Sequence, residues 1–250
     1  MKFSFINPSL DKLLQAPEKT ANIWLSNPLG IMYVATFLKN QGIEVSMLDQ
    51  SARGFSIKKT VEWVKKEDPD ALGFSTLVTS GQTAATVAKE VKNENPNMTI
   101  VFGGFHATFN AERILKKYPH VDVIVRGEGE HTSLELLECL EKRGKLKNVF
   151  GITFREKRGI ISTPDRPLIK DIGTLPFPDR SLLGEYHATI AGAYTAPKKF
   201  TSILSSRGCV FKCRFCGAQR LAQGIWRPRS VENTIEEIRL LVSKGLSLIH

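Results

Sequence analysis

The sequence predicts an α/β protein whose first part is a doubly wound, mainly parallel β-sheet, followed by the start of a second β/α unit. Within the first 147 residues, apolar runs of strand length alternate five times with stretches of helical periodicity. Strands separated by helices in this way form parallel sheets with right-handed crossovers. After residue 199 the alternation resumes with one strand, one helix and the beginning of another strand. We expect the first sheet to be flavodoxin-like, with strand order 2-1-3-4-5.

The individual elements follow from the spacing of apolar residues and from the residues that begin and end helices. Asn27 is predicted to cap the first helix, with Pro28 at its first position and Gly42 after its end. Strands are predicted at residues 2–6, 43–48, 71–75, 99–102 and 121–125, and later helices at 56–66, 82–93, 108–117 and 132–142. A hairpin is predicted at 149–154 and 159–162, and the last elements at 200–204, 231–243 and 246–250.

The chain divides into three predicted segments. Residues 1–147 form the doubly wound domain, which includes a long polar loop at 9–26; residues 148–199 hold the hairpin and a linker with five prolines; residues 200–250 open a second domain. The linker stretch 175–180 is expected to pack as an ordered strap. Two strands and one helix cannot bury a core of their own. We therefore expect the chain to be a piece of a longer protein.

Composition indicates a globular protein of the reducing cytoplasm. The 250 residues are 42% hydrophobic and 24% charged, and no apolar run approaches the roughly 20 residues that span a bilayer. The amino terminus does not resemble a secretory signal, and clustered thiols fit a reducing compartment. Of the net charge of +10, most lies after residue 197, where ten Lys/Arg face three Asp/Glu. No RNA-recognition motif accompanies this charge, so nucleic acid is not the expected partner. The charge fits either an anionic cofactor site or a solvated surface.

Three of the four cysteines lie within eight positions, as Cys209, Cys213 and Cys216. Thiolates are the usual ligands of iron–sulfur clusters, and a four-iron cluster normally takes four of them. Three ligands in one loop would leave one iron open to a small molecule. The alternatives are a structural zinc site, which needs a fourth ligand, and separate buried thiols. The fourth cysteine, Cys139, lies in the middle of a predicted helix and is expected to be a packing residue.

A second candidate site lies at the carboxyl ends of the first five strands, where open α/β sheets bind ligands. The candidate residues there are Asn7, Ser75, Thr76, Gly103, Gly104, His106, Gly127 and Glu128. Paired glycines allow the backbone to approach a large ligand closely. The same glycines also suit tight turns without a ligand, and His106 is either a pocket contact or a hydrogen-bonded structural histidine.

The cysteine loop, with a short strand before it and Phe215 directly ahead of its last cysteine, resembles the signature of the radical S-adenosylmethionine (radical SAM) enzymes. Together with Gly-Gly-Phe-His-Ala-Thr at 103–108, Gly-Glu-Gly-Glu at 127–130 and Asn-Pro-Leu-Gly at 27–30, the chain resembles their cobalamin-binding subfamily over essentially its whole length. The resemblance implies a cobalamin-binding type of first domain and the start of a radical SAM partial β/α barrel.

That resemblance also implies cofactors and an activity. Cys209, Cys213 and Cys216 would hold a 4Fe-4S cluster, Phe215 and Gly217 would lie near S-adenosylmethionine, and the strand-end residues named above would contact cobalamin. Many members transfer a methyl group to an unactivated carbon of a small-molecule or lipid substrate, and others form rings or rearrange skeletons. A flavodoxin or ferredoxin would supply electrons. Arg207, Lys212 and Arg214 would either stabilise the cluster's charge or be exposed surface residues.

One departure concerns cobalt. Cobalamin domains of the methionine-synthase type carry a cobalt-ligating histidine after the first strand, where this chain has Asn7-Pro8-Ser9. Cobalamin would therefore bind with its lower face free of protein ligands. Two other functions stay open. A radical methylthiotransferase acting on RNA would need further upstream cysteines, and a non-catalytic cobalamin sensor would need no complete barrel.

Overall fold

The computed structural model describes residues 1–10, 27–157, 159–184, 200–246 and 248–249. Most of the predicted polar loop and the linker residues 185–199 lie outside the described residues. The strands are β1 Lys2–Asn7, β2 Glu44–Asp49, β3 Ala71–Ser75, β4 Thr99–Gly103, β5 Val123–Val125, β6 Ile152–Glu156, β7 Gly159–Ser162, β8 Phe200–Thr201, β9 Ser206–Gly208, β10 Trp226–Pro228 and β11 Leu248–Ile249. The α-helices are α1 Leu29–Asn40, α2 Gln50–Arg53, α3 Ile57–Glu67, α4 Gly81–Glu94, α5 Gly104–Phe109, α6 Ala111–Lys117, α7 Gly129–Glu141, α8 Ala218–Leu221 and α9 Val231–Ser243.

Seven strands form one sheet in the order β2-β1-β3-β4-β5-β6-β7. The first five pair in parallel, which confirms the predicted order 2-1-3-4-5. The predicted hairpin extends this same sheet, because β6 pairs antiparallel with β5 and β7 with β6. The described helices include none long and apolar enough to cross a membrane.

Helices cover both faces of the sheet because side chains alternate along each strand. On β1, Phe3 and Phe5 belong to one buried cluster, together with apolar residues of α1 and α7. Ile6 belongs to the other cluster, with residues of α3, α4 and α6. Cys139 of α7 packs against the first cluster, which confirms the prediction that it is a packing residue.

The second part of the chain, residues 200–250, does not begin with the single strand predicted at 200–204. Two short strands replace it: β8 pairs in parallel with β11, and β9 turns away to pair antiparallel with β10. The close approach of β9 and β10 requires Gly208, whose φ is +99° and where any Cβ would collide with the Ile225 carbonyl oxygen. We call the β9–β10 pair the ribbon. β10, whose three residues end in a proline, was not predicted from the sequence.

Two of the predicted helices also differ from the helices in the structure. The predicted helix at 108–117 is interrupted at Asn110, whose side-chain amide donates to the His106 carbonyl oxygen at 3.1 Å. The prediction that Asn27 caps α1 was wrong, because Pro28 occupies the cap position without a side-chain bond. Asn27 instead donates to the Thr201 hydroxyl at 2.8 Å and so joins the first part to β8.

Two buried or half-buried aspartates that begin helical turns should respond to pH in opposite directions. Burial raises the pKa of Asp49 despite its bond from the Ala52 amide. Burial also opposes the charge of Asp179, but hydrogen bonds from Lys39 and Ser181 prevail and lower its pKa. Ionising Asp49 therefore costs folding free energy as pH rises above its unfolded pKa of about 3.9, whereas ionised Asp179 stabilises the fold there.

We expect Asp49→Asn to be at least as stable as the unmodified protein at pH 7, with its advantage vanishing as pH falls toward about 4. Asp179→Asn should lose about 1 kcal/mol at pH 7, and this loss should shrink on acidification through the lowered pKa. Urea unfolding between about pH 2.5 and 7 measures both, because the effect of Asp179 is lost only below its unfolded pKa of about 3.9. Parallel pH curves for the two variants would contradict the assignment.

Candidate functional site

A cavity of about 390 Å³ lies at the carboxyl edge of the parallel sheet. Residues from β1, β3, β4, β5, α1 and the start of α7 line it from the first part, and residues of the ribbon and α8 line it from the second. Its walls are mainly apolar, with charged residues at one side. A cavity of this size and character is typical of a small-molecule or cofactor site.

The structure brings five of the predicted cobalamin contacts to this one cavity. They are Ser75, Gly103, Gly104, Gly127 and Glu128. They converge because parallel strands end at the same edge of a sheet. Of the two glycines with positive φ, Gly127 (+73°) has no atom within 4 Å of an added Cβ, so its backbone faces open space. The other, Gly104 (+88°), is packed against the backbone of Thr76.

Three other predicted contacts lie outside the cavity lining. Asn7 hydrogen-bonds Asp49 at the neighbouring strand end. Thr76 is fully buried, and its hydroxyl donates to the Gly103 carbonyl oxygen at 2.9 Å. The ring of His106 faces Gly81 at the start of α4, and its amide donates to the Thr76 carbonyl oxygen at 3.1 Å. In the structure these three residues hold the strand ends together.

A buried cluster of four charges joins the two parts beside the cavity. Arg207 of the ribbon donates to Glu128 at 3.2 Å and to Glu130 at 2.6 Å. Arg227 of the ribbon donates to Glu128 at 2.9 Å, and the Ile169 amide donates to Glu128 at 2.8 Å. All four charged residues line the cavity. We call Glu128, Glu130, Arg207 and Arg227 the clamp.

Glu128 and Arg207 keep their charges despite burial. Burial would raise the pKa of Glu128, but the hydrogen bonds from Arg227 and the Ile169 amide and the charge of Arg207 lower it instead. Burial would lower the pKa of Arg207, and the two glutamates raise it. The carboxylates lie at the first residues of α7, where the helix dipole also favours negative charge.

Sequence reasoning found part of this cluster. Glu128 was predicted as a site residue, but Glu130 and Arg227 were not. The expectation that Arg207 stabilises an iron–sulfur cluster differs from its observed partners, which are the two carboxylates. The signal available was the Gly-Glu-Gly-Glu run, since two acids flanked by glycines at a helix start require cationic partners when buried.

The cysteine loop lies next to the ribbon, because Cys209 directly follows β9. Cys213 is exposed, and Cys209 and Cys216 are partly buried. Among the described residues, no three His, Cys, Asp or Glu side chains are close enough together to hold a metal ion. The three thiols therefore match an iron–sulfur cluster in donor type, whereas their side chains are not gathered around one point.

Phe215 and Gly217, the two residues predicted to lie near S-adenosylmethionine, have different surroundings: the first is exposed and the second is packed against the first part. Phe215 is 93% exposed. Gly217 lies against the ring of Phe109 of α5, where an added Cβ would be 3.1 Å from a ring carbon. Neither residue lines the cavity. Phe109 also lies under the guanidinium of Arg220, 5.5 Å from the ring centroid. This contact seats the carboxyl end of the cysteine loop on the first part.

Residues 25–137 match the family profile described as the B12 binding domain. The chain is 35% identical over 214 residues to the uncharacterized methyltransferase PH0819 of Pyrococcus horikoshii, covering 86% of this chain and 45% of that protein. It is 32% identical to the anaerobic magnesium-protoporphyrin IX monomethyl ester cyclase of a Synechocystis strain, covering 84% of this chain and 42% of the cyclase. The chain thus spans less than half the length of these relatives.

The structure resembles that of OxsB, described as a cobalamin-dependent S-adenosylmethionine radical enzyme with aqua-cobalamin and S-adenosylmethionine bound. The TM-score is 0.76 at 24% identity, covering 95% of this chain and 31% of OxsB. At this identity the likeness establishes the fold. The first sheet and the beginning of the second unit therefore have the same arrangement in both proteins.

Two cavity glycines provide a matched test of the turn at the end of β4. Gly104→Ala would place a Cβ 2.8 Å from the Thr76 carbonyl oxygen in addition to the strain of a positive φ, whereas Gly127→Ala would incur the φ strain alone. We expect Gly104→Ala to lower the free energy of unfolding by about 1–2 kcal/mol more than Gly127→Ala. Urea unfolding at pH 7 measures the difference, and equal losses would contradict the close packing at Gly104.

Proposed function

Because the chain belongs to the radical S-adenosylmethionine enzymes that carry a B12-binding domain, we propose that it takes part in cobalamin-dependent methyl transfer to an unactivated carbon of a small-molecule or lipid substrate. The observation that carries the proposal is the shared cavity: the carboxyl edge of the matched domain and the ribbon that leads into Cys209 line the same space. A cofactor held at the sheet edge would thus lie beside the cysteine loop.

In this proposal, Cys209, Cys213 and Cys216 hold a 4Fe-4S cluster, and Phe215 and Gly217 lie near S-adenosylmethionine. When bound, the cofactors supply an electron for cleavage of the sulfonium, a 5′-deoxyadenosyl radical and a transferable methyl group. The cysteine loop would have to close to gather its three thiols around a cluster. A flavodoxin or ferredoxin would deliver the electron.

The apolar cavity has the task of holding cobalamin and keeping water away from reactive groups. The backbone of Gly127 faces open space in the cavity, and Gly103 and Gly104 line the cavity at the end of β4. Asn7, Thr76 and His106 support these loops from behind. In this arrangement their role is to fix the strand ends rather than to contact the cofactor.

A second candidate reaction is ring formation, favoured by the 32% identity to a cyclase that acts on magnesium-protoporphyrin IX monomethyl ester. The two reactions are separated by incubating the reconstituted complete gene product with methyl-labelled S-adenosylmethionine and a cell extract of its source. Label in small molecules or lipids supports methyl transfer. Formation of 5′-deoxyadenosine without transferred label favours ring formation, and label in RNA favours the methylthiotransferase alternative.

The cysteine assignment predicts that three of the four cysteines are needed to retain iron and that the fourth is not. After anaerobic reconstitution, the protein should hold about four irons per chain, and Cys209→Ala, Cys213→Ala or Cys216→Ala should each remove most of that iron. The matched control is Cys139→Ala, which changes a packing residue of α7 and should retain it.

Iron and sulfide analysis, with the electron paramagnetic resonance of the reduced protein, measures the cysteine effect. Addition of S-adenosylmethionine should alter the resonance. One zinc per chain in place of iron would overturn the cluster, and a cluster without any 5′-deoxyadenosine formation would favour a sensor.

The cobalamin assignment predicts that bulk at Gly127 reduces corrinoid retention. Gly127→Ala adds a methyl group at the cavity wall, and we expect at least a fivefold weaker affinity for hydroxocobalamin. The control is Gly54→Ala, because Gly54 also has a positive φ (+59°) and open space around it but lies outside the cavity lining. Absorbance titration measures both variants, and equal affinities would place the corrinoid elsewhere.

A further inference from the structure

The ribbon carries an unusual pairing of like charges. Arg207 and Arg227 lie directly opposite each other in the antiparallel register of β9 and β10. Like charges directly opposite in a ribbon destabilise it. The ribbon has three residue pairs, extended by the bond from the Arg229 amide to the Ser205 carbonyl oxygen, and its geometry also depends on the groups that neutralise the two guanidinium ions.

The two carboxylates that neutralise the arginines belong to the part of the chain that matches the B12 binding domain. Glu128 accepts from both arginines, and Glu130 accepts from Arg207. The ring of Tyr33 of α1 lies 5.0 Å from the guanidinium carbon of Arg207. The backbone of Ile169 bonds both sides of the cluster, donating to Glu128 and accepting from Arg227 at 2.6 Å. The ribbon is therefore set on the first part by charge and direction rather than by apolar contact.

The cluster is poorly optimised for stability alone. Among the described residues, Glu130 Oε2 and Arg227 Nε are buried without a hydrogen-bond partner. Buried ion pairs often contribute no more to stability than apolar side chains of similar volume, and their best-attested use is to fix a unique arrangement. The planar guanidinium of Arg207, which spans two carboxylates, fixes direction in a way that an ammonium ion does not.

We propose that the clamp of Glu128, Glu130, Arg207 and Arg227 is a positioning device that sets the separation between the bound corrinoid and the cysteine loop. Arg207 is two residues before Cys209, so a shift of the ribbon shifts the first thiol with it. Glu128 and Glu130 flank the glycine that starts α7 at the edge of the corrinoid cavity. The clamp thus ties the two proposed cofactor sites by side chains only a few residues from each. This inference rests on the proposed function.

Two substitutions weaken the clamp while keeping a polar side chain of similar size at the substituted position. Glu130→Gln keeps the side-chain shape but removes one negative charge from Arg207, and Arg207→Lys keeps the positive charge but loses the fork between two carboxylates. The control is Glu237→Gln, because Glu237 is likewise buried between two arginines, Arg180 of the strap and Arg229, but it lies outside the cavity lining.

The first measurement uses the complete gene product without cofactors, by amide hydrogen exchange of residues 206–209. We expect exchange at least tenfold faster in Glu130→Gln and Arg207→Lys, and within twofold of the unmodified protein in Glu237→Gln. Unchanged exchange in both clamp variants, or an equal acceleration in the control, would overturn the proposal. This result does not depend on whether the protein binds cobalamin.

The second measurement uses the protein reconstituted with iron, sulfide and hydroxocobalamin, reduced so that cluster and cob(II)alamin are both paramagnetic. Pulsed dipolar spectroscopy should give one narrow separation in the unmodified protein and in Glu237→Gln, and a broader or shifted one in the clamp variants at cofactor contents within twofold. An unchanged distribution in the clamp variants would overturn the proposal. Failure of the unmodified protein to retain corrinoid would instead overturn the proposed function, with the exchange result deciding the clamp.

Discussion

Buried charge pairs hold the cysteine-bearing part of the chain on the B12-binding sheet. The clamp reaches the sheet directly, and another network binds the strap at 175–180 to the second part. In the other, Glu237 of α9 is fully buried and pairs with Arg180 at 3.0 Å and with Arg229. Removing one partner of a buried pair costs about 3–5 kcal/mol because a charge is left without compensation. Loss of a single charge is therefore expected to weaken the contacts of the charge that remains.

The second network attaches the strap that the sequence analysis expected in the linker. Arg180 donates to the Thr201 hydroxyl at 2.8 Å and to the Ser202 carbonyl oxygen at 2.7 Å, so it fixes the start of the second part. Its neighbour Asp179 is bound to α1 through Lys39 at 2.8 Å and through the Thr36 hydroxyl. The strap thus connects α1 to β8 and α9. Its prolines limit the conformations that the segment must give up in order to pack.

The strands of the sheet could be predicted because each is marked by a short local run of apolar residues. The junction could not be predicted because its contacts join residues that are far apart in the sequence. Each strand of the first domain is a short apolar run ended by polar or glycine residues, which is enough to predict the strand order. The ribbon has no such run, and Arg207 is separated from Glu128 by 79 residues along the chain. Nothing in the spacing of the arginines distinguishes a clamp residue from a solvated one.

For the candidate site, the residues at strand ends could be predicted from the local pattern, but the direction of their side chains could not. Position at a strand end is a property of the sequence pattern, and it led to Ser75, Gly103, Gly104, Gly127 and Glu128. Whether a side chain at a strand end faces the cavity depends on local hydrogen bonds that the pattern does not contain. Thr76 turns aside because its hydroxyl donates to the Gly103 carbonyl oxygen, and the ring of His106 lies against Gly81 instead. Backbone bonding thus decides which strand-end residues can contact a ligand.

The placement of the glycines and the clamp at one edge has a consequence for the chemistry. Gly127 leaves open space where a large ligand would lie, and the acids that follow it are neutralised by arginines from the other part. Charges in a poorly hydrated site interact more strongly than in water. A ligand that fills the cavity would exclude water from the clamp and strengthen it. Cofactor binding at the sheet edge and fixing of the cysteine loop would then support each other.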